Sequence, residues 1–243
     1  MKLPKNYTML SSAAVLLALG MTSPLVGAGP LTKSPEQLDK KIANAQARLE
    51  KLQAKPKRRI PAPVLANARG IVIMRNLKIG LGFGAEAGGG VAMVKEKGTE
   101  TWKPPVFVGA GEGSWGLQIG AQKSDLIIVL MSEKSLNFFK PLGSAAVGVK
   151  FDAAVGPVDV GEKFDTDSLK SHVLVYSDSE GVFAGATVKV GGVIGAKRQN
   201  MTYYGASMQD VLFSDKGKVT PQGKKLIDAV EKFAGKKKTG NTH

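Results

Sequence analysis

Cysteine is absent, which removes disulfides, zinc–thiolate sites and thiol nucleophiles, and with them any lipid anchor on an N-terminal cysteine. Histidine is nearly absent: His172 and the terminal His243 are too few and too far apart for a clustered metal site. His172 is left as the one internal imidazole, and beside a strand it reads as an edge residue. Ser114 lies among glycines, but a nucleophile elbow needs Gly two residues before the serine, and Glu112 stands there. Glu86, Glu112 and Asp125 sit near glycine-rich strands, where capping and salt-bridge roles outweigh an acid–base pair. Aromatics make up 6% of the chain and none is interleaved with the basic ends, so a nucleic-acid partner is not expected. No catalytic residue, metal or cofactor is expected.

Long apolar runs are also missing. The stretch from Met9 to Gly20 is too short for a comfortable membrane span. Lys2 and Lys5 precede it, and Val26 and Ala28 follow as small residues at −3 and −1, which predicts a signal peptide over 1–28. A retained signal anchor is the alternative. The expected location is outside the cytoplasm, periplasmic or secreted, with peripheral membrane association.

What the chain has in excess is glycine, 30 residues, most of them between Gly70 and Gly205. That density suits close backbone approach, tight turns and bulged strands better than a helical bundle. Gly80, Gly82 and Gly84 follow a strand as in a dinucleotide loop, but Gly88-Gly89-Gly90 comes next where a phosphate-facing helix would have to start. An outer-membrane barrel needs strands of alternating polarity, whereas Leu126–Met131 is continuously apolar, as in a strand buried on both faces.

Charge is unevenly placed. The net +14 divides into +6 between Lys33 and Arg59, +6 from Lys216 onward and +2 in the leader, while Ile60–Asp215 carries fifteen charges of each sign. The flanks are basic and the domain is neutral.

Element signals follow the same division. Ser34, Pro35 and Gln37 open a helix over 34–54, with Leu38, Ile42, Ala45, Leu49 and Leu52 in one narrow apolar stripe. Two readings of that stripe stand: docking on the domain or a partner helix, or an interfacial helix drawn to anionic lipid. Pro56, Pro61 and Pro63 bracket the basic run Lys57-Arg58-Arg59 as a hinge, followed by a short helix over 63–68. Strands are predicted at 71–74, 91–94, 106–108, 117–121, 126–131 and 173–176. Further helices are predicted at 132–140 and from Thr220 to Phe233. A faint echo relates Ile71–Lys95 to Val173–Lys197, and chance repetition in glycine-rich sequence explains it as well as duplication does.

A series of motifs then occurs in a familiar order. Ile60-Pro-Ala-Pro-Val-Leu-Ala-Asn-Ala-Arg-Gly-Ile-Val-Ile-Met, Lys78-Ile-Gly through Gly90-Val, and Trp102-Lys-Pro-Pro-Val-Phe-Val come first. Gly113-Ser-Trp-Gly, Ser124-Asp-Leu-Ile-Ile-Val-Leu-Met, Ala154-Val-Gly-Pro with Gly181-Val-Phe-Ala-Gly, and Tyr204-Gly follow. Together they resemble the SYLF domain over residues 60–234. The resemblance implies a lipid-binding domain, with phosphoinositide and actin-linked roles in eukaryotic members and a membrane-active N-terminal helix that maps loosely onto Ser34–Ala54. Phosphoinositides are not expected outside a bacterial cytoplasm, and Lys189 departs from the family's common Glu.

The combined expectation is an α+β protein. It has a glycine-rich antiparallel sheet system, partly closed in a barrel- or sandwich-like way, with N- and C-terminal helices flanking it. The segments are a leader over 1–28, a basic amphipathic helix and linker over 29–59, the domain over 60–234 and a basic tail over 235–243. The expected function is non-catalytic binding of anionic phospholipid or a related amphiphile at a membrane surface, with Lys40, Lys41, Lys57, Arg58, Arg59 and Lys78 as headgroup residues. A structural or protein-interaction role in the envelope, with a partner on the N-terminal helix, is the alternative, and an uncharacterised enzyme is the third reading.

Overall fold

The computed structural model describes residues 33–139, 151–155, 172–178, 188–190 and 193–236, with the backbone alone at 76–87, 110–123, 138, 151–155 and 188–190. The expected leader and most of the basic tail lie outside the described residues.

Helix α1 (Pro35–Gln53) starts where its capping box places it. The Ser34 hydroxyl accepts the Gln37 N–H, and the Gln37 side chain accepts the Ser34 N–H at 3.0 Å. Its stripe is fully buried, so the first of the two readings holds: the helix docks on its own domain. Leu38, Ile42, Leu49 and Leu52 pack with Ile71, Ile73, Val91, Met93, Phe107, Ile127 and Val129 of the sheet. Leu226 and Val230 of α5 (Pro221–Phe233) join the same core; that helix is capped by Thr220, whose hydroxyl accepts the Gly223 N–H at 3.1 Å. A short helix, α2 (Ala62–Asn67), fills the gap after the proline hinge.

The sheet is built on two 25-residue strands, β1 (Gly70–Val94) and β2 (Val106–Leu130), paired antiparallel from Gly70↔Leu130 to Ala92↔Val106. The pair folds back on itself. The Lys95 N–H donates to the Arg69 carbonyl at 2.9 Å, and a Cβ on Gly90 would lie 2.6 Å from the Met74 Cα. Only glycine fits at 90, because the two ends of one strand meet there. The predicted strands at 71–74 and 91–94 are therefore parts of one strand, as are those at 106–108, 117–121 and 126–131.

Strands β3 (Phe151–Val155), β4 (Val173–Ser177), β5 (Val188–Val190) and β6 (Ile194–Gly195) complete the sheet. Its order is β1-β2-β4-β3-β5, with β6 also on β2; pairing is antiparallel except between β3 and β4. The expected partial closure is corrected by this order: among the described residues the sheet is open, with β1 and β5 at its two ends.

Helices rather than a second sheet cover both faces. Ile127 and Val129 point to the α1–α5 side. Ile128 and Leu130 point to the other, beneath Leu136 and Phe139 of a 3-10 helix (Glu133–Phe139) and Met208, Val211 and Leu212 of α4 (Met208–Phe213). The central, doubly buried strand predicted at 126–131 is present as the last part of β2, which stops at Leu130, and the helix predicted at 132–140 is the 3-10 turn Glu133–Phe139. Helix α3 (Lys197–Tyr204) guards the β2 edge through Asn200. The Asn200 carbonyl oxygen accepts the Phe107 N–H and its amide donates to the Phe107 carbonyl, both at 2.8 Å, so a side chain takes the place of a neighbouring strand. No helix of the described residues is long and apolar enough to cross a membrane.

Candidate functional site

The basic residues of α1 divide into two groups. Arg48 and Lys51, in its second half, and Lys55, just past its end, meet acids on the sheet. Arg48 Nε lies 3.0 Å from Asp125 Oδ1, an oxygen shared with Arg75 at 2.7 Å. Arg75 holds Asp125 through both carboxylate oxygens. Lys51 reaches Asp178 at 2.6 Å, and Lys55 pairs with the same carboxylate. The Asp178 N–H in turn donates to the Asp125 carbonyl at 3.0 Å, so the two acids form one ledge, Asp125 within β2 and Asp178 just past the end of β4.

This latch has a pH signature. Burial pushes the Asp125 carboxyl up, but the hydrogen bonds from Arg75 and the charges of Arg75, Arg48 and Lys51 outweigh it and hold the group below its usual range. Asp178 is held low in the same way by Lys51 and Lys55 against its burial. The unfolded carboxyls titrate near pH 3.9. Stabilisation from a depressed carboxyl is therefore present above that value and is lost as pH falls through the folded values. The melting temperature is expected to be flat from about pH 7 to 5 and to fall below about pH 4. In Asp125→Asn the acid limb should be shallower. Scanning calorimetry across this range checks it, and an identical acid limb in the variant would contradict the latch.

Lys41, in the first half of α1, has no such partner. Its Nζ donates to Gln199 Oε1 of α3 at 2.8 Å and stands 5.8 Å from the centroid of the buried Phe107 ring. Among the described residues no carboxylate pairs with it. Burial, then the charges of Lys33 and Arg48, lowers its ammonium pKa to about 8. Lys95 shows the contrast. It is also buried, beside the Trp102 ring, but Glu100 Oε2 at 2.6 Å and the Ala66 carbonyl at 2.7 Å accept from it.

The floor beneath Lys41 is glycine. Gly89 pairs with Gly109 across β1 and β2, and a Cβ on Gly89 would lie 3.5 Å from Lys41 Nζ. The rest of the wall is aromatic. Tyr203 meets Phe107 edge-on at 5.2 Å, and its hydroxyl bonds to Asp39 and to Thr220. Burial, with Asp39 beside it, pushes that phenol up to about 12.

The predicted headgroup residues do not converge. Lys40 is exposed on α1 and Lys41 is turned inward beside it. Lys57 and Arg59 are exposed and Arg58 is half-buried in the turn after α1, about 20 Å along the helix from Lys41 at 1.5 Å per residue. Lys78 lies on β1, opposite Gln122, and its side chain is outside the described residues. Sequence reasoning misses Gln199 and Gly89. Gln199 carries no signal that could reveal it, and Gly89 is one glycine in a run of three.

The other chemistry-bearing residues are placed structurally. Asp125 is in the salt-bridge role, and the Glu86 and Glu112 side chains lie outside the described residues. His172 is exposed, with Nδ1 at 3.1 Å from the Ser132 hydroxyl, which itself accepts the Ser135 N–H at the start of the 3-10 helix. Gly80–Gly84 lies inside β1, so no helix follows it. Among the described residues no group of His or acidic side chains could hold a metal.

Residues 111–233 match the family model Ysc84, described as "Las17-binding protein actin regulator". The chain belongs to the Ysc84 (SYLF-domain) family. It is 30% identical over 187 residues to "SH3 domain-containing YSC84-like protein 1" of Xenopus laevis, covering 74% of this chain and 55% of that protein. It is also 30% identical over 181 residues to "Protein YSC84" of Saccharomyces cerevisiae, covering 72% of this chain and 38% of that one. The Homo sapiens "SH3 domain-containing YSC84-like protein 1" is 29% identical over 186 residues, 74% of this chain and 53% of that protein. The chain thus spans about half the length, or less, of the curated relatives it matches. No solved structure matches. The Ysc84 family is one of binding, adaptor-type domains, which agrees with the motif resemblance over 60–234.

Proposed function

We propose that this Ysc84-family protein is an exported, non-catalytic module that binds anionic phospholipid or a related amphiphile at a membrane surface of the cell envelope. The observation that carries the reading is the placement of charge around α1. Its apolar stripe is spent on the sheet and half its cations on Asp125 and Asp178, while Lys33 and Lys40 are exposed near its start and Lys57 and Arg59 in the turn after its end. Such a surface attracts anionic membranes electrostatically, without inserting an apolar face. Around it, Ile60–Asp215 has no net charge of its own to contribute.

The test is vesicle co-sedimentation of the protein and of a Lys40→Gln, Lys57→Gln, Arg59→Gln variant. Each basic residue near an anionic surface is worth about fivefold in affinity, and salt screens the effect. Binding to phosphatidylserine vesicles should drop by more than about tenfold in the variant and at high salt. Salt-insensitive binding equal in both proteins would refute the electrostatic reading.

A protein partner is the second reading, favoured by the description "Las17-binding" attached to the family. The expected partner site on the apolar stripe of α1 is closed by the core, so a partner would meet the polar outer face. Unimpaired folding with no vesicle binding at any salt would move preference to it.

A further inference from the structure

We infer that Lys41, Gln199 and the glycine pair Gly89–Gly109 form a discrete subsite for a phosphate-type oxyanion. The inference rests on reading the protein as an anion binder and adds to that reading a defined position and ligand chemistry.

The first support is an uncompensated cation. An ammonium has three N–H donors, and of those on Lys41 one is used by Gln199, at 2.8 Å. A half-buried charge with no acid beside it is costly unless something completes it. Both other charged residues that act on Lys41, Lys33 and Arg48, are positive as well. Lys197 and Arg198 are exposed at the start of α3, just before Gln199, and the first turn of that helix contains no acid. A group of charge near −2, as a phosphomonoester carries, answers several cations at once where a carboxylate answers one.

The second support is the floor. Gly90 must be glycine because its neighbours leave no room, but nothing comparable constrains Gly89 and Gly109. Neither has a positive φ, and a Cβ on either would make only ordinary contacts, at 3.5 Å or more. Packing does not demand glycine there. What the missing side chain at Gly89 does is let Lys41 Nζ and Cε lie at contact distance over the strand, on the face that also carries Phe107. The donors of Lys41 that Gln199 leaves unused are the ones offered to a compact tetrahedral ligand.

The phosphate can arrive free or on a lipid, and two arms separate the sources. In the first, the protein is titrated with inorganic phosphate against chloride at equal ionic strength, following backbone amide shifts. Saturable shifts are expected at Gly89, Gln199 and Lys41, at least about tenfold weaker in Lys41→Gln and Gly89→Val and retained in Lys41→Arg. In the second arm, vesicles of phosphatidic acid and of phosphatidylserine are compared at matched surface charge. The wild type should prefer phosphatidic acid several-fold, and Lys41→Gln should bind both alike. Removing the Lys41 charge strands no acid, so Lys41→Gln should melt with the wild type. If Gly89→Val unfolds, Gly89→Ala serves in its place. Phosphate shifts without vesicle binding would leave the subsite standing and overturn the membrane reading. Vesicle binding with no headgroup preference and no phosphate shifts would overturn the subsite and leave the membrane reading intact.

Discussion

Ile128→Asp is expected to leave the protein unfolded. Ile128 is fully buried at the centre of the sheet, paired with Val72 of β1 on one side and Val175 of β4 on the other. Its side chain enters the cluster formed by Met74, Val94, Val106, Leu136 and Leu212, which offers no cation and no hydrogen-bond donor. An unpaired carboxylate there costs several kcal/mol even after it takes up a proton. Total stability of a domain this size is about 5–15 kcal/mol, so the loss removes most of it. Ile128→Val, which keeps the shape and trims a methyl group, should cost only about 0.5–1.5 kcal/mol. Thermal melting by circular dichroism, with soluble yield, separates the two. A soluble Ile128→Asp protein melting with the wild type would show that this strand is not central.

That strand is legible in the sequence because six consecutive apolar residues leave no polar face. Helices α1 and α5 are legible for a different reason: each joins a capping serine or threonine to a 3.6-residue apolar period. The long ribbon of β1 and β2 is not. Its middle is glycine, alanine and single large residues, so alternation disappears where the strands are longest. Nor is α3, whose single fully buried residue is Asn200 and whose sequence therefore has no stripe. The expectation of a partly closed sheet fails because closure depends on strand order, which composition does not set. The site is half legible. The basic run at 57–59 stands out by eye, whereas Lys40 and Lys41 look identical in sequence and differ by one helical step of about 100°. That step turns one ammonium to water and the other toward Phe107 and Gln199, a residue 158 positions away.

Removal of α1 is expected to be as damaging as the buried aspartate. A chain beginning at Ile60 lacks Leu38, Ile42, Leu49 and Leu52, each fully or almost fully buried. Burying such a side chain is worth about 1.5–3 kcal/mol, so the four together contribute on the order of 10 kcal/mol. The sheet face they cover, with Ile71, Ile73, Val91 and Phe107, would be left open, and the Asp125–Asp178 ledge would lose three cations. The expected product is an aggregating or molten chain that binds hydrophobic dye and gives no cooperative melt. This decides how membrane experiments must be built. A truncated chain that fails to bind anionic vesicles has lost its fold before it has lost its charge. One that sticks to neutral vesicles is doing so through a core face that the intact protein never shows. Charge-neutralising substitutions at Lys40, Lys57 and Arg59 avoid both confusions, because these side chains are exposed and lie outside the buried core. A soluble 60–236 chain with a cooperative melt near that of the intact protein would contradict the argument. It would make α1 a detachable appendage and return its apolar stripe to the membrane as an interfacial helix.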